Sequence, residues 1–305
     1  MDGIKLRCPA TTANLGPGYD VFGLALEEPY DVLEVRRTSD ARIKIQVSGY
    51  PVPSQPEENS AGYVALSMLK AFGLPTGLEV RLLKGIKPGS GLGSSAAAAA
   101  GMAYGLDRLF DLGLGKEALV EHASQGEIVA AGTAHADNVA PALYGGFVIV
   151  PSRSPLKVVS IAPPADLGIV VALPSVEKGS TKLAREAVPR EVPIVDVSYN
   201  VGHAALVAAG MASGNLSLIE QGMEDHIVET ARARAGIVKE YEAFKRLGKE
   251  MKAGIAVSGA GPAMLGVIEM ARRHELAEAM KGLFEGRGYA CEVYETRPGG
   301  GVQEI

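Results

Sequence analysis

A stretch of small residues at positions 88–100 constrains the fold of this 305-residue chain more than any other feature. Three glycines alternate with other residues, two serines follow, and a run of alanines closes the stretch. Glycine permits backbone angles and close approaches that a Cβ atom forbids, whereas alanine is the strongest helix former. With Ser94 or Ser95 as the N-cap, the stretch predicts a tight loop that leads directly into a helix.

Such a loop is suited to binding an anion. A helix start presents free N–H groups and the positive end of the helix dipole at one point, and phosphate is the natural ligand there. The alternative is a flexible turn before a helix of small residues that packs closely against a sheet. That alternative explains the alanines better than it explains three spaced glycines and paired serines.

Two familiar phosphate loops do not match this stretch. A P-loop requires a lysine directly after its last glycine, but Ser94 follows Gly93. In the dinucleotide fingerprint the third glycine would come one residue later than Gly93 does. The loop also does not follow the first strand of the chain. A nicotinamide dehydrogenase is therefore a poor fit.

The composition is that of an ordinary globular protein, with 47% apolar and 21% charged residues. The net charge of −5 argues against a general nucleic-acid binder, which needs a basic surface. The N-terminus lacks an apolar signal core, and no stretch approaches the ~18 apolar residues that span a bilayer. The two distant cysteines, Cys8 and Cys291, favour neither a disulfide framework nor a thiolate metal site. We therefore expect a cytoplasmic protein without nucleic-acid or membrane partners.

Hydrophobic periodicity predicts strands and helices along the whole chain. The predicted strands are 4–8, 21–26, 31–37, 41–47, 78–86, 147–150, 167–173, 254–257, 264–268 and 289–294. The predicted helices are 60–72, the alanine helix to about Phe110, 116–131, 195–212, 216–222, 237–247 and 271–284. The first motif region, 10–20, reads as a loop and 299–301 as a loose tail. Prolines in segment 152–164 predict a boundary between an N-terminal domain, 1–160, and a C-terminal domain, 161–305, in an α+β protein.

One carboxylate stands out in the predicted helix 116–131. Laid out at 100° per residue, Glu127 lies in the middle of the apolar face, whereas Glu117 and Glu121 lie elsewhere. A carboxylate on such a face must be paired, hydrogen-bonded or bound to a metal. A glutamate at the edge of the stripe that reaches solvent is the simpler alternative. Beside an anion-binding loop, ligation of Mg²⁺ gains support.

Polar residues also cluster just before the strand at 147–150. His135, Asp137 and Asn138 stand together there. Turn formation explains the aspartate and asparagine on their own, and packing in a satisfied environment explains the histidine. No second histidine lies at a metal-binding spacing such as His-x-x-x-His.

Three separated motifs, taken together, resemble one family. They read PATTANLGPGYD at 9–20, PGSGLGSSA at 88–96 and SGAGP at 258–262. In this order and spacing they resemble the GHMP small-molecule kinases, and within them the homoserine-kinase branch. Segments 135–138 and 181–185 are similar to that branch too. The mevalonate and galactose branches carry a lysine in the first motif, where this chain has Thr11 and Thr12.

The resemblance implies a fold and a reaction. The fold is a two-domain α+β kinase, with an N-terminal domain like the second domain of ribosomal protein S5 and a ferredoxin-like C-terminal domain. The active site would lie in the cleft between them. The reaction would be ATP-dependent phosphorylation of the side-chain hydroxyl of L-homoserine, a step of threonine biosynthesis, with Mg²⁺ as cofactor.

The resemblance also implies roles for individual residues. The ATP phosphates would be bound by Pro88, Gly89, Ser90, Gly91, Leu92, Gly93, Ser94, Ser95 and Ala96. Ser95 and Glu127 would hold Mg²⁺. The acceptor would be bound by Asn14, Asp20, His135, Asn138, Thr181, Arg185, Arg232 and Gly259. Arginine forks suit its carboxylate and Asp20 its ammonium group. Asn138, Asp137 and Glu127 would be the catalytic residues, with Asp137 the alternative base by analogy with other branches.

Two rival functions are consistent with the same motifs. One is another GHMP kinase, of the shikimate or mevalonate type. The other is a non-catalytic member that binds ATP or a ligand, although intact Ser95, Glu127 and Asn138 speak against it. The sequence does not give the oligomeric state, and a homodimer is one allowed outcome.

Overall fold

The computed structural model describes residues 2–131, 135–176 and 181–305. The side chains at 130, 131, 181 and 182 lie outside that description. Within the described ranges, no helix is both long and apolar enough to cross a membrane.

The described part of the chain contains eleven strands and eleven α-helices. The strands are β1 (Gly3–Asn14), β2 (Gly18–Thr38), β3 (Ile43–Gly49), β4 (Gly77–Lys84), β5 (Phe147–Arg153), β6 (Leu156–Ile161), β7 (Leu167–Pro174), β8 (Gly254–Val257), β9 (Met264–Glu269), β10 (Cys291–Thr296) and β11 (Gln303–Glu304). The helices are α1 (Ser60–Ala71), α2 (Ser94–Phe110), α3 (Lys116–Ser124), α4 (Glu127–Ala131), α5 (Val139–Tyr144), α6 (Thr181–Glu186), α7 (Ile194–Ser213), α8 (Leu216–Gly222), α9 (Val228–Arg234), α10 (Tyr241–Met251) and α11 (Arg273–Glu285). Two short 3₁₀ turns cover Pro56–Glu58 and Met270–Arg272.

The strands form two sheets. The first has the order β11-β1-β2-β4-β3, and β5 joins it by pairing with β2 and with β6. Its pairs are antiparallel except for the parallel pair of β3 and β4. The second sheet has the order β10-β7-β9-β8 and is antiparallel throughout. The predicted division of the chain near residue 160 stays a prediction, and the short last strand β11 lies in the first sheet.

Helix α2 packs against the first sheet at very short range. All five alanines from Ala96 to Ala100 are at most 3% exposed. A Cβ atom on Gly101 would lie 2.3 Å from the Cys8 sulfur of β1, so only glycine allows this approach. The small-residue helix is therefore explained both by close packing and by the loop that precedes it.

The second sheet has its own hydrophobic core, which includes Phe244 of α10, Phe284 of α11 and Val170 of β7. The rings of Phe244 and Phe284 are 4.6 Å apart at their centroids. Other residues of this sheet, among them Leu265 and Val267 of β9, belong to a second hydrophobic cluster together with Val207 of α7 and Ile219 of α8.

Most predicted elements are present, but several interpretations were wrong. The predicted strands 21–26 and 31–37 are one strand, β2. Residues 10–14 continue strand β1, because Thr11, Thr12 and Ala13 pair with β2. The predicted helix 116–131 is two helices separated at Gln125 and Gly126. The tail is not loose: the Gly299 N–H donates to the Ala25 carbonyl at 2.8 Å, and β11 pairs with β1.

Candidate functional site

The three glycine motifs meet at one junction. The first motif contacts the second motif, 88–96, here called the phosphate loop, where the Thr11 N–H donates to the Leu92 carbonyl at 3.1 Å. It contacts the third motif, 258–262, here called the third loop, where the Gly259 N–H donates to the Ala13 carbonyl at 3.2 Å. Segments from distant parts of the chain therefore come together, and contacts between the other two loops complete the junction.

Ser258 connects all three segments. Its hydroxyl is fully buried and lies 2.9 Å from the Thr12 hydroxyl and 2.8 Å from the Gly91 carbonyl oxygen. The N–H of Ala263 donates to the Ser90 carbonyl at 3.3 Å. The geometry of the phosphate loop thus depends on the third loop as well as on its own glycines.

The phosphate loop ends at helix α2 without a side-chain cap. The N-cap is Gly93, in the left-handed region with φ of +62°, so neither Ser94 nor Ser95 caps the helix as predicted. Ser94 is instead held inward, where its hydroxyl donates to the Ile86 carbonyl at 3.0 Å. Among the described residues no side chain bonds the first N–H groups of α2, which leaves these donors for a ligand.

A cavity of about 420 Å³ opens beside this helix start. Gly89, Gly91, Gly93, Ser94 and Ser95 form its polar part. Val52, Pro53, Leu82 and Ala98 supply apolar surface. A cavity that combines free helix N–H groups with an apolar wall suits a ligand that has both a phosphate and a flat hydrophobic group.

A buried ion pair supports the loop, and we did not predict it. Lys84 and Asp31, 3% and 0% exposed, form a salt bridge. Asp31 also accepts the N–H groups of Gly85 and Ile86 at 3.0 Å each, while the Lys84 ammonium donates to the Ser94 carbonyl at 2.8 Å. Burial raises the pKa of Asp31, the Lys84 ammonium lowers it, and the net shift is upward.

The signal for this pair was present in the alternation of the strands. Lys84 continues the buried face of β4 that Leu78, Val80 and Leu82 form, and Asp31 shares a face of β2 with Leu33 and Val35. A charge on an apolar face needs a buried partner. The phosphate loop has no lysine after Gly93, yet a lysine from the preceding strand lies among the lining residues of its cavity.

Glu127 and Ser95 lie side by side at the end of this cavity. Glu127 is 6% exposed, and its Oε1 atom has no hydrogen-bond partner within the described residues. Burial raises the pKa of Glu127 to about 7, against the lowering effect of a hydrogen bond from Ser95. The carboxylate is buried as predicted, although it opens its own helix, α4, and does not sit mid-helix.

A second cavity, of about 90 Å³, collects the predicted acceptor residues. Its lining residues include Asn14, Asp20, His135, Asn138, Arg185, Arg232 and Gly259. The Thr181 side chain lies outside the described residues, so its predicted role is not tested. Glu127, Asn138, Gly259 and Ala260 line both cavities. The two spaces are therefore adjacent and share a wall.

His135 is held as a neutral donor. Arg185 Nη2 contacts His135 Nε2, and because a guanidinium can only donate, Nε2 must accept and Nδ1 must carry the proton. Burial, helped by the Arg185 charge, lowers the pKa of His135 to about 4. Nδ1 lies 3.8 Å from Asp20 Oδ1 and 4.0 Å from Asp137 Oδ1. These three side chains are close enough to share a metal ion, but a protonated Nδ1 cannot ligate one.

Asn138 lies in the wall that the two cavities share, and Asp137 lines the smaller cavity. Asp137 is 5% exposed, its Oδ1 has no hydrogen-bond partner among the described residues, and burial together with the Asp20 charge raises its pKa to about 6. The Asn138 Oδ1 accepts the Thr11 hydroxyl at 2.9 Å. Asn138 is thus oriented by the first motif.

Arg232 is buried, and two of its nitrogens are already bonded. Nε donates to the Ala184 carbonyl and Nη1 to the Gly259 carbonyl, both at 2.9 Å. The same Gly259 carbonyl accepts Asn14 Nδ2 at 2.8 Å. Burial lowers the pKa of Arg232 from its ordinary value. Arg232 can therefore offer a ligand only its remaining hydrogens.

Tyr19 and Arg153 belong to this site although we did not predict them. The Tyr19 ring lies 5.4 Å from the Arg232 guanidinium, and Arg153 Nη2 lies 3.3 Å from Asp20 Oδ2. Asn14, Leu15 and Asp20 all have positive φ, at 77°, 47° and 60°. Such backbone conformations in non-glycine residues concentrate where side chains must be aimed.

The fold is that of the GHMP kinases. Residues 59–146 match the model of the GHMP kinases N terminal domain. The chain is similar to the homoserine kinase of Methanococcus maripaludis, with 44% identity and full coverage of both chains, and to that of Methanocella arvoryzae, with 39% identity over 100% of this chain and 98% of the relative. The chain belongs to the homoserine kinase family.

Solved structures agree with this assignment. The crystal structure of homoserine kinase from Cytophaga hutchinsonii has a TM-score of 0.92 and 34% identity, covering 100% of this chain and 98% of that one. Mevalonate kinase of L. major, at 16% identity and a TM-score of 0.74, shares the fold alone. The predicted family and the α+β GHMP kinase fold are confirmed.

Proposed function

We propose that this protein transfers the γ-phosphate of ATP to the side-chain hydroxyl of L-homoserine. The observation that carries the proposal is the pair of adjacent cavities, one with free helix N–H groups and the other with opposed charges, which share Glu127 and Asn138 as a wall. Full-length relatives named homoserine kinase support the choice of acceptor. In phosphoryl transfer, catalysis rests mainly on positioning and charge stabilisation, which this arrangement supplies.

The larger cavity suits ATP. Backbone N–H groups of residues 89–95 would bind the phosphates, and Lys84 would add positive charge beneath them. Val52, Pro53 and Leu82 would contact the adenine, whose flat faces are apolar. This assignment leaves the polar end of the cavity for the γ-phosphate, next to the wall that the two cavities share.

Ser95 and Glu127 fit the requirements of Mg²⁺. The ion prefers oxygen ligands, and a hydroxyl and a carboxylate lie together here beside the expected phosphates. The unpartnered, buried Oε1 of Glu127 is the atom that a cation would satisfy. Mg²⁺ would neutralise the charge on the phosphates. Without a cation, burial keeps the Glu127 carboxylate partly protonated at neutral pH.

The smaller cavity suits a zwitterion. Asp20 would bind an ammonium group, and Arg185 and Arg232 a carboxylate. L-Homoserine carries both groups, whereas shikimate and mevalonate have a carboxylate but no ammonium. The charge pattern therefore favours an amino-acid acceptor over the rival GHMP substrates.

Asn138 would orient the acceptor hydroxyl toward the γ-phosphate. The hydroxyl oxygen forms a bond to the γ-phosphorus as the bond to the bridging oxygen breaks, and ADP leaves. Asp137, with a pKa of about 6, is mostly ionised at neutral pH and is the carboxylate available to accept the hydroxyl proton.

Release of ADP, measured in parallel with L-homoserine, mevalonate, shikimate and galactose, tests the proposal. We expect turnover with L-homoserine alone, and absence of that turnover would contradict it. Turnover with another acceptor would identify a different GHMP kinase. ATP binding without ADP release from any acceptor would support the non-catalytic alternative.

We also propose that the protein works as a cytoplasmic homodimer. The start of helix α7 supports self-association, because Ile194 and Val195 are 79% and 69% exposed and Val201 is 64% exposed. Light scattering on the purified protein would give the mass directly. A monomer at micromolar concentration would contradict the dimer.

A further inference from the structure

Helix α9 carries a buried carboxylate one turn before Arg232. Glu229 is 2% exposed and lies outside the lining of the two cavities described above. Its Oε1 accepts the N–H of Val257 at 2.7 Å, and its Oε2 accepts the Tyr241 hydroxyl at 3.2 Å. The carboxylate therefore connects α9 to the end of strand β8 and to helix α10.

The contact at Val257 leads directly to the acceptor site. Val257 is the last residue of β8, and two residues later the Gly259 carbonyl accepts bonds from Arg232 Nη1 and Asn14 Nδ2. Helix α9 thus holds the third loop at two points, through Glu229 at Val257 and through Arg232 at Gly259. Glu229 and Arg232 therefore form a clamp that holds residues 257–259.

The clamp begins at a well-fixed helix start. Asp225 accepts the N–H groups of Ile227 at 3.0 Å and of Val228 at 2.8 Å, and Asn200 of α7 donates to Asp225. A buried carboxylate carries a large desolvation cost, which apolar packing at the same position would avoid. What the carboxylate supplies is an acceptor for the Val257 N–H, and so a fixed distance between α9 and the third loop.

We propose that Glu229 is a positioning residue for the acceptor: through Val257 it fixes the third loop and the Arg232 guanidinium that face the smaller cavity. This inference rests on the proposed function, because it assigns the smaller cavity to L-homoserine. The phosphate loop contacts the third loop but has a further support, independent of Glu229, in Asp31 and Lys84. Loss of the Glu229 contact should therefore affect acceptor binding much more than nucleotide binding.

Kinetics of four variants test this inference. In Glu229→Ala we expect KM for L-homoserine to rise at least ten-fold, with KM for ATP within about two-fold of wild type. Glu229→Gln keeps an oxygen acceptor for Val257 and should stay within about three-fold on both constants. Glu229→Asp shortens the side chain and so moves the carboxylate away from the Val257 N–H. It replaces the alanine variant if that variant does not fold, and we expect an intermediate rise in KM for L-homoserine. Met280→Ala, in the same core but away from the clamp, should lower the melting temperature without changing KM for L-homoserine.

Hydrogen exchange provides a readout that needs no substrate. The backbone amides of residues 257–261 should exchange faster in Glu229→Ala and at the wild-type rate in Glu229→Gln. An unchanged KM for L-homoserine in a folded Glu229→Ala enzyme, or unchanged exchange at 257–261, would overturn the inference. If the wild-type protein does not turn over L-homoserine, the proposed function fails, and the exchange data then decide the role of Glu229 by themselves.

Discussion

Glu127 Oε1 and Asp137 Oδ1 are buried without hydrogen-bond partners in the described part of the chain, and both residues line the acceptor cavity. Leaving such an atom unpaired costs about 1–3 kcal/mol. A cost of that size at two neighbouring carboxylates is expected where a cation and a substrate hydroxyl bind, because the ligands then supply the missing partners. A ligand that pairs with these two atoms would remove that cost, which would favour its binding.

Substitution of Glu127 should separate nucleotide binding from transfer. In Glu127→Gln we expect turnover to fall by roughly 10²–10³, as for loss of one group that stabilises developing charge. ATP affinity should stay within a few-fold, because the helix N–H groups remain. ADP release and nucleotide titration measure the two effects. Glu121→Gln, exposed on α3, is the matched control, and near-normal turnover in Glu127→Gln would remove this residue from the site.

Sequence motifs predicted many of the residues that line the candidate site. The structure shows why Tyr19 and Arg153 were missed. Apart from Glu127 and Arg232, the predicted residues that line the two cavities lie within three short glycine motifs and two polar segments. Tyr19 lies inside the first motif but carries no charge, so nothing in its type pointed to a ligand. Arg153 reaches Asp20 only because β5 pairs with β2, a contact across 133 residues that spacing cannot reveal.

Strand β4 places Lys84 beside the phosphate loop, where it forms a salt bridge with Asp31 of β2. Single and double substitutions test this ion pair. Lys84→Met should destabilise the protein by about 3–5 kcal/mol, because it leaves a buried carboxylate unpaired. The double variant Asp31→Asn, Lys84→Met should recover most of that stability, since asparagine still accepts the Gly85 and Ile86 N–H groups.

ATP binding should not recover in the same double variant. We expect its KM for ATP to remain about ten-fold raised, because the positive charge beneath the phosphates is absent. Urea unfolding and initial rates measure the two properties. Parallel recovery of stability and of KM would show that Lys84 acts on the fold alone.

The packing of α9 and α10 against β8 should make stability depend on pH through Glu229. Burial raises the pKa of Glu229 to about 7 from 4.5, and the charge of Lys245 opposes this shift. Asp225 at the start of α9 and Tyr241 of α10 face the same carboxyl, and Arg232 lies one turn along α9. Between pH 4.5 and about 7 the Glu229 carboxyl is protonated in the folded protein and ionised in the unfolded chain. The free energy of unfolding therefore falls as pH rises.

Glu229→Gln removes this titration. We expect the free energy of unfolding of wild type, relative to Glu229→Gln, to fall by on the order of 3 kcal/mol between pH 4.5 and 7. Urea unfolding across that range measures the difference. Glu242→Gln, exposed on α10, should show no such trend against wild type. A constant difference for Glu229→Gln would mean that the buried carboxyl does not hold its proton.

Element boundaries were predicted well where local signals set them, as at α1 and α2. They failed where packing set them. The break between α3 and α4 falls at Gly126, where a Cβ would lie 2.8 Å from the Ser60 carbonyl of α1. That contact is tertiary, so the apolar stripe alone could not show it. The same holds for residues 10–14 of the first motif, where nearby breakers suggest a loop although pairing with β2 keeps these residues in strand β1.

The candidate site exists because three glycine loops that are distant in the sequence pack on one another. The co-occurrence of the motifs in the sequence predicted that they serve one function, but not that their backbones touch. Gly91 sits at the centre of this junction with φ of +88°, and a Cβ there would lie 2.3 Å from the Ser258 carbonyl oxygen. Alanine at this position must therefore push the phosphate loop and the third loop apart.

Gly91→Ala should consequently weaken both substrates together. We expect KM for ATP and KM for L-homoserine each to rise at least ten-fold, because one loop binds phosphate and the other carries Gly259. Gly113→Ala is the matched control: its φ is +66°, so alanine is strained there too, but no other atom lies within 4 Å of the added Cβ. That control should lose about 1–2 kcal/mol of stability and keep both KM values. If Gly91→Ala raised only KM for ATP, the loops would act independently, and the contact between them would have no part in placing the acceptor.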